Sequence, residues 1–188
     1  MAFLYNTTLR RIALTLITVW SIGSFWFFNE ISAINVIVSI AGLFILYSIY
    51  REVAELFILI FLSFTTTYAL YGFLFLFNLP IWLVMAASLL VFIYLFAYFD
   101  QKRSYLKRER SIFIVLYGLI LAETFLVTSY LLISPFNRSA IIMMVTYVIT
   151  GFSIEIIGQK SFKNFLPYIY FMLASFVLLL GSAVWSGI

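Results

Sequence analysis

The sequence predicts an all-α, polytopic integral membrane protein, a bundle of seven transmembrane helices with the N-terminus inside and the C-terminus outside. Three observations carry this. Of 188 residues, 65% are hydrophobic and only 10% charged, with a mean hydropathy of +1.16. Soluble domains run nearer a quarter charged, and a chain this small has too little interior to hide so much apolar surface. The apolar residues also fall in runs of about 20, the length a helix needs to cross roughly 30 Å of hydrocarbon. Finally, Lys and Arg are distributed asymmetrically between the connections, as the retention of basic residues on the cytoplasmic side requires.

The runs are, in order, Leu9 to Phe28, Ile31 to Tyr50, Val53 to Phe77, Pro80 to Phe99, Ile112 to Ile133, Ser139 to Ile157 and Phe165 to Ile188. Asn29 and Glu30 alone separate the first two, and Arg51 and Glu52 the next two, so these pairs are tight antiparallel hairpins. Six helices is the alternative if a short hairpin such as Asn29 and Glu30 does not turn. A transmembrane β-barrel needs alternating segments, which continuous runs such as Leu56 to Phe64 oppose. Arg10 and Arg11 before an apolar stretch also fit a signal peptide, but the stretch is long enough to span and Ile31 to Ala33 is a poor cleavage site. The whole chain, residues 1–188, is one transmembrane domain interrupted by a polar loop at 100–111.

With the N-terminus inside, ten of the eleven basic residues are cytoplasmic and only Arg138 is outside. Trp26, Trp82 and Trp185 then fall near the outer interface, where amphipathic rings prefer to sit. The segment around Phe28 to Ile34 resembles that around Phe136 to Ile141 at a corresponding hairpin, but the flanking helices do not align as a repeat would. The expected setting is the plasma membrane of a prokaryote.

Composition excludes much chemistry. Without Cys or His there are no disulfides, no thiol or imidazole catalysis and no metal site of the usual kind, and no cofactor is expected. The only Asp is Asp100, so the Asp clusters that hold Mg²⁺ and the paired carboxylates of intramembrane aspartyl proteases are missing. No Gly-rich phosphate loop is present. The net charge of +4 sets topology and does not imply nucleic acid.

Glu123 stands out, about twelve positions into its helix and so near the bilayer midplane. A carboxyl there is costly unless it faces the bundle interior, a partner or water, so it has to be neutral, bound to a cation or held by hydroxyls. Tyr130 shares its line along the helix, while Tyr117, Thr124 and Thr128 form a second line about 100° round, giving one broad polar side. Two readings stand: a proton- or cation-handling carboxylate, and a neutral Glu that cross-links helices by hydrogen bonds. Glu155, on the line Tyr147, Gly151, Glu155, Gly158, is either the inner station of the same path or a salt-bridge partner of Lys160, Lys163 or Arg51. Asn35, Thr66 and Thr146 belong to polar seams on the second, third and sixth helices, which serve either close packing or a small hydrated cavity. The fourth helix has no such seam beyond Ser88, and its Phe92, Phe96 and Phe99 are expected to face lipid.

In the polar loop, Lys102, Arg103, Lys107, Arg108 and Arg110 would attract anionic lipid headgroups at roughly 1 kcal/mol per basic residue, or dock a membrane or cytoplasmic protein. Three functions fit these features. The first is a small transporter or channel-like subunit for a small solute or ion, with Glu123 handling a proton or cation. The second is a non-catalytic structural or assembly subunit of a membrane complex. The third is an enzyme acting on a lipid-linked substrate, which the missing His and Cys disfavour.

Overall fold

In hydrocarbon every backbone polar group has to be satisfied within its own segment, and the chain meets this with helices throughout. The structure, a computed structural model, describes residues 7–99, 107–157 and 162–182. Its helices are α1 (Thr7–Phe28), α2 (Ser32–Arg51), α3 (Glu55–Leu76), α4 (Ile81–Phe99), α5 (Lys107–Ser129), α6 (Pro135–Phe152) and α7 (Phe162–Ser182). A π-helical turn, Ser153–Ile157, continues α6. Six of the helices, α1 to α6, are long and apolar enough to cross a membrane. Their length and composition are consistent with a helical membrane bundle. Trp185 lies outside the described residues, as does Gly158.

Several boundaries differ from the sequence expectation: the seventh helix starts at Phe162 and not Phe165, and the fifth at Lys107 and not Ile112, so part of the loop expected at 100–111 is helical. The fifth helix ends at Ser129 and not Ile133, and the sixth starts at Pro135 and not Ser139. The cause is local: Ser134 caps α6 by accepting the Asn137 N–H at 3.2 Å, and Pro135 fits the first helical turn because its missing N–H is not needed there. Arg138 therefore belongs to the helix and not to an outer loop.

Helices α3, α4, α5 and α6 pack as a closed ring, each against the next and α6 back against α3. Outside the ring, α1 and α2 lie against α3, and α7 lies against α6. The most enclosed helices are α3 and α6. At one end of the bundle, Arg10 and Arg11 converge on the Glu52 carboxylate at 3.4 and 3.0 Å, and the Tyr94 hydroxyl donates to the Arg10 carbonyl at 3.1 Å. These contacts tie α1 to the α2–α3 turn and to α4. At the opposite end Asn35 exchanges hydrogen bonds with the side chain and carbonyl of Asn29, at 2.7 and 2.9 Å, closing the α1–α2 hairpin. That hairpin does turn, so Asn29 and Glu30 do not lower the helix count, while the long apolar helices among the described residues number six.

The expectation for the fourth helix is overturned. Phe92, Phe96 and Phe99 are buried, and Phe96 packs on the Tyr117 ring of α5 with centroids 5.2 Å apart. Trp82, Leu83 and Leu90 face outward instead. Large apolar side chains suit lipid and protein interior equally, so composition alone did not orient this helix.

Candidate functional site

Helix α5 divides its polar residues between two sides. Tyr117 and Thr128 are buried in the ring, and Thr124 is half-buried, its hydroxyl donating to the Ile120 carbonyl at 2.7 Å. Glu123 and Tyr130 are exposed. The single polar side expected from the sequence is thus two: the hydroxyl line turns in, while the line of Glu123 turns away from the bundle. A rotation of about 100° separates adjacent residues of a helix, enough to put neighbours on opposite sides of a packing seam.

Around Glu123 the outward face is apolar. Ile112, Val115, Leu116, Leu119 and Val127 are all exposed on it, and a shallow open groove runs along its inner half beside Ser111, Ile112, Val115, Leu116 and Leu119. Six residues separate Glu123 from the end of α5 at Ser129, which places it roughly 9 Å below that end at 1.5 Å per residue. No hydrogen bond or ion pair from the described residues reaches its carboxyl.

The inward line leads to a second cluster. The Tyr71 hydroxyl of α3 donates to the Phe125 carbonyl at 3.1 Å and meets the Thr128 hydroxyl, and the Tyr71 and Phe125 rings stack with centroids 4.4 Å apart. Beside it lies Arg138, only 8% exposed. Its guanidinium sits over the Tyr71 and Phe75 rings, 5.6 and 4.4 Å from their centroids, and donates to the Leu131 carbonyl at 2.5 Å. Its Nε and Nη1 are buried without a hydrogen-bond partner. Arg138 was not among the residues singled out from the sequence as a candidate site. The signal was there, since it is the one basic residue on the outer side, and a cation that breaks the positive-inside pattern needs its own explanation.

The remaining candidates are dispersed. Thr66, Thr146 and Thr150 are fully buried on α3 and α6, and each hydroxyl donates back to a carbonyl of its own helix: Thr66 to Leu62, Thr146 to Ile142 at 2.8 Å and Thr150 to Thr146 at 2.7 Å. Asn35 is committed to the outer hairpin. Tyr147 packs against the Tyr168 and Phe171 rings of α7 at 4.9 and 5.1 Å, where Gly151 leaves room for the Tyr168 ring. Glu155 is buried in the π-helical turn. Of the cations expected near it, Arg51 lies over the Tyr47 ring instead, and Lys160 is outside the described residues. Lys102 and Arg103 also lie outside them, while Lys107, Arg108 and Arg110 form the first turn of α5. Among the described residues no three carboxylate, His or Cys side chains converge to hold a metal.

Comparison with protein-family models, with curated proteins and with solved structures finds no match, so function is argued from these sites alone.

Proposed function

We propose that the protein is a non-catalytic subunit of a membrane assembly in a prokaryotic plasma membrane, and that it docks through the outward face of α5. The observation behind this is the carboxyl of Glu123, set among exposed Leu, Ile and Val without a partner among the described residues. A charged side chain facing hydrocarbon at the centre of a single helix costs about 2.5–3.5 kcal/mol on insertion scales. A partner helix that offers hydrogen bonds at that depth removes the cost. The basic residues Lys102, Arg103, Lys107, Arg108 and Arg110 then hold the inner end of α5 against anionic lipid.

Extraction in native lipid discs followed by mass measurement tests the reading. The expected particle is heavier than one 21.8 kDa chain, and a Glu123→Leu variant shifts it toward the single chain. A wild-type particle containing one chain and no other protein would refute docking.

One observation favours transport of a small solute or ion instead. Thr66, Thr146 and Thr150 line the two central helices, and Glu155 continues the α6 row toward the inner end. On that path Glu155 handles the proton and Glu123, outside the ring, has no part. In liposomes carrying a pH-sensitive dye, Glu155→Gln and Thr146→Val should then slow proton flux while Glu123→Gln leaves it intact. Flux equal in all variants would exclude this path.

A further inference from the structure

We infer that the occupant of the α5 face is a second copy of this chain, and that Glu123 meets its counterpart across a two-fold axis along the membrane normal. The inference rests on the docking proposed above and names the partner. Along the outward side of α5, Ile112, Leu116, Leu119, Glu123 and Leu126 follow at alternating steps of four and three, and Tyr130, just past the helix end, continues the line. All are exposed except Leu126, which is half-buried. This is the seven-residue period with which parallel helices interlock side chains, and a single polar residue in such a seam fixes register and partner number.

Two copies inserted in one membrane share one orientation, so their α5 helices can only run parallel under a two-fold axis along the membrane normal. An axis along the membrane normal keeps the two Glu123 side chains at the same depth, and in a parallel seam centred on that axis the residues of the seam face their own counterparts. A protonated carboxyl is both donor and acceptor, so each can donate its O–H to the other's carbonyl oxygen and the pair satisfies itself without any cation. No other described face offers this. The exposed sides of α2 (Val36, Ile37, Ile40, Leu43) and α4 (Trp82, Leu83, Leu90) are apolar, and among the described residues no other charged side chain sits outward away from a helix end. Between copies, hydrogen bonding rather than apolar burial is the selective force, because lipid tails compete equally for apolar surface.

The chain contains no Cys, so single cysteines report contacts without background. In membrane vesicles treated with a copper–phenanthroline oxidant, Leu119→Cys and Leu126→Cys should give a disulfide-linked band at twice the monomer mass, and Ile40→Cys and Leu90→Cys should not. Adding Glu123→Leu should weaken dimerisation roughly three- to thirtyfold, the effect of one to two interhelical hydrogen-bond energies. Adding Glu123→Gln should preserve the band, because a carboxamide also donates and accepts across the axis. Equal cross-linking at Ile40, or a band indifferent to Glu123→Leu, overturns the inference. A photocross-linker at Leu119 separates the two claims. An adduct with a different protein and no dimer overturns self-pairing while leaving docking in place, and no adduct of any kind overturns both.

Discussion

Arg138 meets no carboxylate among the described residues, and two of its nitrogens are buried without acceptors. What holds it is one charge-assisted bond to the Leu131 carbonyl and the faces of Tyr71 and Phe75. Planarity matters here. A guanidinium lies flat on a ring while still donating at its edge, whereas an ammonium presents a compact, strongly hydrated charge. Arg138→Lys, which keeps the charge, is expected to cost about 1–2 kcal/mol through the weakened ring contacts and the lost bond. Tyr71→Phe keeps both rings and removes a hydroxyl, at about 1 kcal/mol. Thermal unfolding in detergent ranks the two, and Arg138→Lys melting with the parent would show that ring stacking contributes nothing. The same scale explains how Glu123 was half legible. Counting residues from the helix ends gives depth, and depth marks an ionisable group as costly. The direction it faces is not in the pattern, because in a membrane both the lipid side and the packed side of a helix are apolar and the periodic contrast that orients a soluble helix vanishes.

Between elements, close packing has to replace the hydrophobic drive that water supplies elsewhere, and small residues allow it. At Gly118, where α5 crosses α4, an added Cβ would lie 2.6 Å from Ile93 Cγ1 and 3.4 Å from the Ile93 backbone nitrogen. The side chain can rotate away, but the backbone limits how far α5 can move. Gly118→Ala is therefore expected to destabilise the protein by about 1–3 kcal/mol, as overpacking does. Pairing it with Ile93→Ala should restore part of the loss, and the non-additivity is what identifies the contact. If the two substitutions simply add, the helices are not in register at this crossing. Element existence was readable because seven apolar runs are separated by charge, Pro or Asn. The ends were less so, because polar residues such as Asn137 and Arg138 lie inside α6 and polarity alone does not mark its limit. Ser134 and Pro135, a cap and a first-turn proline, mark the true start of α6, and Arg138 in its first turn is covered by the bundle.

For the whole molecule, alternating helices put Asn78 and Ser134 at one end of the bundle and Val53 at the other, beside the Arg10, Arg11 and Glu52 cluster. Retention of basic residues predicts a cytoplasmic position for that cluster. Single cysteines at Asn78 and Ser134, both exposed, should react with a membrane-impermeant maleimide on intact cells. Val53→Cys, also exposed, should react only after permeabilisation. The reverse pattern would invert the protein and place its basic loop outside. The end of the chain settles the span count in the same experiment. If α7 crosses as the seventh span, Ser186→Cys labels from outside together with Asn78→Cys. If α7 lies along the inner surface, Ser186→Cys follows Val53→Cys and six spans remain. Lys160, ahead of α7, and Lys163, in its first turn, favour crossing, since cations at the start of an apolar helix are retained inside while the helix itself inserts. Pro167 in the first turns does not oppose it, because membrane helices tolerate proline where neighbouring groups satisfy the freed carbonyl.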